Sequence, residues 1–247
     1  MCIRDSNKIV WYEQAGSPFK PTTKAELQTA VNLWISDKAT ALSTYGVINS
    51  WNVSQITDME DLFKDKTTFN DDIGNWDVSN VTTMNSTFMD AHEFNGDISS
   101  WDVSNVTNMY TMFYRASSFN GNISSWDVSS ATTIHQMFYG TTNFNQDISG
   151  WNVSNLTEMI YLFALSNFNQ DISSWDVSNV TNMSNMFRDN DNFNQDLSSW
   201  NVSSVTNMEL MFYSADVFNR DISSWDVSSV TNMYGIFLGA NGLSDEN

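Results

Sequence analysis

DISSWDVSNVTNMSNMFRDNDNFNQ, residues 171–195, is one copy of a unit that recurs along almost the whole chain. The tryptophan of this unit marks the register, because it returns every 25 residues, with a single step of 24. The short step has a local cause: FALSNF, residues 163–168, is one residue shorter than FYRASSF, residues 113–119. Eight tryptophans share the register: Trp51, Trp76, Trp101, Trp126, Trp151, Trp175, Trp200 and Trp225. This periodicity predicts a tandem array in which neighbouring units stack and bury a common core.

Apolar residues flank each tryptophan at fixed distances. An isoleucine or leucine lies three residues before it and a valine two residues after it, as in Ile172 and Val177 around Trp175. Side chains two residues apart leave the same face of an extended segment. The Trp-x-Val step therefore predicts a short strand in every unit, pairing in parallel with its neighbours.

The spacing changes after this segment. Val180, Met183 and Phe187 are three and four residues apart, which is the spacing of one helix face. A threonine precedes this part of every unit, and threonine is a favoured N-cap. Two units also place a glutamate three residues later, in the pairs Thr57 with Glu60 and Thr206 with Glu209, which predicts capping boxes. We therefore expect a short helix in each unit.

These patterns predict an α/β solenoid similar to leucine-rich repeats. It has eight coils of about 25 residues, each with a short parallel strand and a short helix. Residues 47–243 form this array, and residues 19–46 form an N-terminal helical cap. In the cap, Thr23 and Glu26 form a capping box and a second helix, Lys38 to Tyr45, ends at Gly46. We expect residues 1–18 to be a non-native or disordered leader and 244–247 to be the truncated start of a C-terminal cap.

Charge and composition exclude several functions. The 247 residues include 29 acidic and 10 basic side chains, and from residue 67 onward three arginines face 21 acidic residues. Such a surface repels phosphate backbones, so nucleic acid is excluded as a partner. No apolar run is long enough to span a membrane, and the single cysteine, Cys2, forms no disulfide within the chain. We expect a monomer.

The motif WDVSNVTNM at 175–183, with FNQDI at 168–172, resembles the repeats of BspA-like leucine-rich-repeat surface proteins, including mycoplasma and Listeria lipoproteins. The resemblance covers residues 19–247. It implies an extracellular or cell-surface repeat protein with a role in adhesion. It brings no catalytic residues.

Two rows of residues are candidate binding sites. The residue after each tryptophan is predicted to point outward from the strand, which gives an acidic strip that includes Asp77, Asp102, Asp127, Asp176 and Asp226. Oxygen ligands of this kind suit Ca²⁺, so weak calcium binding stands beside a simpler interpretation, a solvated polar face. The second row, in the variable part of the unit, contains Tyr114, Tyr139 and Tyr213.

No catalytic residue is predicted, because every unit offers the same carboxylates whereas an active site needs one distinguished place. No phosphate-binding loop or other catalytic motif is present, and no cofactor is expected beyond weakly held Ca²⁺. The leading hypothesis is a non-enzymatic binding or adhesion module that recognises a protein or a glycan. A structural spacer without a ligand and a cation-dependent surface association are the alternatives.

Overall fold

The structure, a computed structural model, describes residues 2–5, 8–11 and 18–243. The predicted cap start at 244–247 and the rest of the predicted leader at 1–18 lie outside the described residues. Near the N-terminus, strands β1 (Cys2–Asp5) and β2 (Lys8–Trp11) form an antiparallel pair. The 25-residue units follow two helices.

Helices α1 (Lys24–Ser36) and α2 (Lys38–Tyr45) lie directly before the units, followed by a 3-10 helix at Ile48–Ser50. The capping box of Thr23 and Glu26 is present, and Gly46 follows α2 in a left-handed conformation with φ 74°. One face of α1 is buried and covers the first unit: its Trp34 ring lies 5.8 Å from that of Trp51. The predictions for both helices are therefore confirmed.

The eight units stack in register, and equivalent apolar residues lie on one another through the core. Phe88 and Phe113, one unit apart, are parallel to within 1° with centroids 5.5 Å apart. A second row of phenylalanine residues lies beside the first, and the ring centroids of Phe113 and Phe119 are 3.9 Å apart. All eight tryptophans of the register are buried, the most exposed at 8%. From Trp76 onward, each tryptophan Nε1 donates to a carbonyl of the preceding unit at 2.8–3.2 Å.

The predicted helix in each unit is wrong, because the backbone N–H groups bind the neighbouring unit instead of the same turn. The N–H of Met84 donates to Asn108 O and that of Phe88 to Met112 O, both at 2.8 Å. Ser86 and Asp90, whose N–H groups also donate to the next unit, adopt left-handed conformations with φ 54° and 56°. A helix needs consecutive right-handed residues with bonds to the fourth preceding carbonyl. The spacing of three and four therefore reflects turns, closed by bonds such as Met89 N to Ser86 O at 3.1 Å.

The threonine row is correspondingly not a row of helix caps, and the capping boxes predicted for the units are absent. The backbone N–H and the hydroxyl of Thr206 both donate to the carbonyl oxygen of Thr181, at 2.8 and 3.1 Å. The same pair of bonds joins Thr82 to Thr57. Threonine thus connects one unit to the preceding one.

The predicted strand in each unit is also wrong. Across residues 47–243, all of them described, parallel pairing is limited to isolated bridges such as Thr83 with Asn108. Around Trp101 the backbone instead closes two turns, Trp101 N to Ile98 O and Val106 N to Val103 O. Side chains make the bonds between units here, as when Asn105 Nδ2 donates to the carbonyl of the preceding unit at 2.9 Å. The fold is therefore a stack of turn-built units, and not an α/β solenoid with a strand and a helix in each coil.

The loop at 163–168 is one residue short, and a side chain of the following unit bonds to its backbone. Asn190, fully buried, lies one unit beyond the missing residue. Its Nδ2 donates to Phe163 O, Phe168 O and the Ser166 hydroxyl at 3.1–3.3 Å. Its Oδ1 accepts from the N–H of Phe193. The equivalent residue of the next unit, Ala215, has no such groups. Asn190 therefore satisfies the polar backbone that the shorter loop leaves inside the core.

Phe113→Ala is expected to reduce the free energy of unfolding by about 3–5 kcal/mol, because it removes a fully buried ring between two others. Phe237→Ala, at the equivalent place in the eighth unit, is the matched control, since this ring is only partly buried and has one stacked neighbour. Urea denaturation followed by tryptophan fluorescence measures both. Equal losses in the two variants would contradict a core built from stacked rings.

Candidate functional site

The first predicted row, here the aspartate row (Asp77, Asp102, Asp127, Asp176 and Asp226), is exposed but lies on turns instead of a strand. Each carboxylate accepts a hydrogen bond from the backbone N–H of the serine two residues later. At Asp102 the Ser104 hydroxyl also donates to the same oxygen, at 2.6 Å. This is the geometry by which aspartate stabilises a turn.

These bonds hold the carboxylates in the charged form. The serine hydroxyl, followed by the serine backbone N–H, lowers the pKa of Asp102 and of Asp127 below the usual aspartate range. The same two donors lower the pKa of Asp176 and of Asp226. The charge of Asp127, one unit away, opposes the shift at Asp102 only as the smallest contribution. Hydrogen bonding to the anion therefore outweighs repulsion along the row.

The carboxylates of the aspartate row do not converge on one point. Among the described residues, no group of three or more histidine, cysteine, aspartate or glutamate side chains is placed to hold a metal ion. A calcium ion requires six to eight oxygen ligands around one point, whereas these carboxylates are one per unit and each already accepts bonds from its own turn. The arrangement is that of a turn-forming residue repeated along the array.

The second predicted row has a different organisation, because its side chains contact one another across units. The rings of Tyr114 and Tyr139 are parallel to within 4°, with centroids 4.7 Å apart. Tyr213 lies three units beyond Tyr139, and the guanidinium carbon of Arg188 lies 4.9 Å from its ring centre. All three tyrosines are half-buried.

Tyr161 lies in the unit between those of the Tyr114–Tyr139 pair and the Arg188–Tyr213 pair, and it was not predicted from the sequence. Its ring lies 5.9 Å from that of Tyr139 in an edge-on arrangement, and it contributes to raising the pKa of Arg188. Tyr161 occupies a different position in the unit, three residues before Ala164, which stands where the other units have Tyr114 or Tyr139. The small side chain of Ala164 is the signal that another residue fills this place. We call Tyr114, Tyr139, Tyr161, Arg188 and Tyr213 the Tyr–Arg row; it crosses five consecutive units.

Arg188 is the cation of the row, and Arg115 follows Tyr114 in the chain. Each pairs with an aspartate: Arg115 with Asp90 at 3.3 Å and Arg188 with Asp189 at 3.1 Å. Burial opposes ionisation of Arg188, but its bond to Asp189 more than compensates and raises the pKa of the guanidinium. Burial, and then the neighbouring Tyr114, raise the pKa of Tyr139. The row is thus a locally neutral surface of phenols and paired guanidinium groups.

The repeated stack defines the class: this is a tandem-repeat protein whose units share one core. The family model described as "Mycoplasma protein of unknown function, DUF285" matches residues 34–151 and again 132–246. The chain therefore belongs to that family. Comparison with curated proteins and comparison with solved structures each give no significant match. Within the described part of the chain, neither helix has the length and apolar character needed to cross a membrane.

Ser104→Ala is expected to raise the pKa of Asp102, because it removes the bond that contributes most to lowering it. Carboxyl carbon NMR titration measures the shift, and the pKa of Asp127 is the internal reference. The matched variant Ser129→Ala should move the pKa of Asp127 instead. An unchanged pKa of Asp102 would contradict the turn as its cause.

The lowered aspartate pKa values also determine the direction in which the free energy of unfolding changes with pH. A carboxyl that ionises more readily in the folded chain stabilises it above the unfolded pKa of about 3.9. That stabilisation is lost as the pH falls through the lower folded value. The free energy of unfolding should therefore decrease below about pH 4, and Ser104→Ala should reduce the decrease. Urea denaturation at a series of pH values measures it.

Removal of calcium is expected to leave the melting temperature unchanged. The reason is that the aspartate oxygens are already bonded within their turns and no described group of ligands converges on one point. Thermal melts followed by circular dichroism in excess EDTA, and then in excess CaCl₂, provide the measurement. A rise in melting temperature with CaCl₂ would show that the acidic surface does bind the ion.

Proposed function

We propose that this protein is a non-enzymatic binding module that recognises a protein or a glycan through one side of its stack of units. The Tyr–Arg row is the contact site within an otherwise acidic surface. The observation that carries the proposal is the alignment of tyrosine and arginine side chains in five consecutive units. Ring contacts run from Tyr114 through Tyr139 to Tyr161, and Arg188 stacks on Tyr213.

The contrast with the rest of the surface supports the proposal. Several recurring polar residues form bonds between units, as Thr82 and Asn105 do. The position of Tyr114 instead varies between lysine, methionine, tyrosine, alanine, arginine and leucine along the chain. Stacking of the units does not require tyrosine here. Tyrosine and arginine are the residue types that most often provide binding energy at interfaces.

The resemblance of WDVSNVTNM to BspA-like surface proteins supports an extracellular or cell-surface location and a role in adhesion. The excess of acidic residues supports partners other than nucleic acid, because like charges repel. No feature that we describe distinguishes one unit as a catalytic centre, so we assign no reaction.

The experiment is a screen of the purified chain on protein and glycan arrays, in parallel with the variant Tyr114→Ser/Tyr139→Ser/Tyr213→Ser. We expect ligands that bind the wild-type chain and lose at least about tenfold in affinity with the variant, since interface tyrosines commonly contribute 2 kcal/mol or more.

The matched control is Tyr110→Ser/Tyr234→Ser, which removes two exposed tyrosines that have no ring contact with the row. Circular dichroism establishes that both variants retain the fold. A wild-type chain that binds nothing on either array would instead support the alternative of a structural spacer. Ligands lost equally in both variants would contradict the assignment of the site.

A further inference from the structure

We propose that the partner of the Tyr–Arg row is a polypeptide surface that presents apolar side chains surrounded by lysine or arginine, and is not a glycan. This inference rests on the proposed function, because it names the ligand class of the same site.

The orientation of the rings favours a polypeptide. Sugars bind aromatic side chains mainly by lying on an open ring face. In the row, Tyr114 and Tyr139 cover one face of each other at 4.7 Å, and Arg188 lies over Tyr213. On its other side Tyr139 meets Tyr161 at 66°. These contacts cover at least one face of each of three rings, which leaves less aromatic face for a sugar to lie on. The phenol hydroxyls suit the packed and hydrogen-bonded contacts of a protein interface.

The hydroxyls are suited to donate hydrogen bonds. Burial and the adjacent phenol raise the pKa of Tyr139, so that its proton is retained at neutral pH and above. A polypeptide backbone offers carbonyl acceptors at regular intervals along its length. Leu165, 43% exposed, adds an apolar contact in the unit of Tyr161, and its N–H donates to Arg188 O at 2.8 Å, which fixes it beside the row.

The charge of the row and of the surrounding chain indicates which charged residues the partner carries. The Arg188 guanidinium of the row is paired with Asp189 at 3.1 Å, and the guanidinium of Arg115, next to Tyr114 in the chain, is paired with Asp90 at 3.3 Å. The row is therefore a neutral centre within a chain of net charge −19. A complementary partner has an apolar centre that meets the tyrosines and basic residues around it that face the acidic surroundings. Such complementarity accelerates association and makes it sensitive to salt.

The length of the Tyr–Arg row fits a short peptide segment. Five stacked units at a spacing of about 4.8 Å span roughly 19 Å, which about six residues of extended chain cover. The side chains are already held by their contacts with one another, so binding loses little additional conformational freedom. A linear peptide is therefore long enough to test the site.

The test is a selection of phage-displayed linear peptides of about 12 residues on the full chain. The affinities of the enriched peptides for the full chain and for the row variant Tyr114→Ser/Tyr139→Ser/Tyr213→Ser are then measured by biolayer interferometry. We expect enriched peptides with lysine or arginine on both sides of an apolar centre. They should bind Tyr110→Ser/Tyr234→Ser as well as wild type and the row variant at least about tenfold more weakly. Their association should slow as NaCl is raised.

Arg188→Lys provides a second variant, because it keeps the charge but loses the planar group that stacks on Tyr213. We expect it to weaken the selected peptides several-fold. Selection that yields no peptide, or peptides that bind the row variant equally well, would overturn the inference. A glycan that depends on the row would also overturn it while leaving the proposed function intact. Absence of any row-dependent ligand on the arrays and in the selection would contradict both.

Discussion

The structure depends on backbone N–H groups that find their acceptors in the next unit. In the second unit, for example, the N–H groups of Met84, Ser86, Phe88 and Asp90 donate to the third unit. Ser86 and Asp90 have positive φ, and the residues between the donors, Thr87 and Met89, close short turns. A buried backbone donor must be paired, so every unit needs a neighbour of the same shape. The phenylalanine and tryptophan rows then remain in register because the hydrogen bonds fix the spacing between units. Among the described residues, no buried side-chain nitrogen or oxygen lacks a partner.

The sequence predicts the repeat, its register and its core residues well, because burial of identical side chains depends only on period and polarity. It also predicts α1 and α2, whose caps are local signals. It fails on the conformation inside each unit. Trp-x-Val and Val-x-x-Met-x-x-x-Phe have the spacings of a strand and a helix, but spacing records which side chains are buried and not where the N–H groups donate. Within the described units, glycine marks the left-handed positions only at Gly140, Gly235 and Gly239, whereas other units have residues such as Ser86 there, so the turns are not marked in every unit.

In the candidate site, the regularly repeated aspartates stabilise turns, whereas the residues that differ between units form the Tyr–Arg row. The aspartate row is a regular acidic feature of the sequence, and its regularity follows from one turn repeated along the array. The Tyr–Arg row consists of residues that differ from those at the same position in other units. Tyr114 and Tyr139 are visible as such differences, but Tyr161 belongs to another position of the unit and reaches the row only because Ala164 leaves room. Contacts between different positions of neighbouring units require coordinates, since the period alone aligns like with like.

The pairing of the shortened loop with Asn190 has an evolutionary consequence. Duplication or deletion of a whole unit is tolerated best where neighbouring units carry equivalent residues. At the position of Asn190 the third and seventh units have Ala116 and Ala215. With alanine in the sixth unit, Phe168 O would lose its side-chain donor, and Phe163 O would keep the Ser166 hydroxyl at 2.8 Å. Exchange of the sixth unit alone should therefore destabilise the array more than exchange of the fifth and sixth units together.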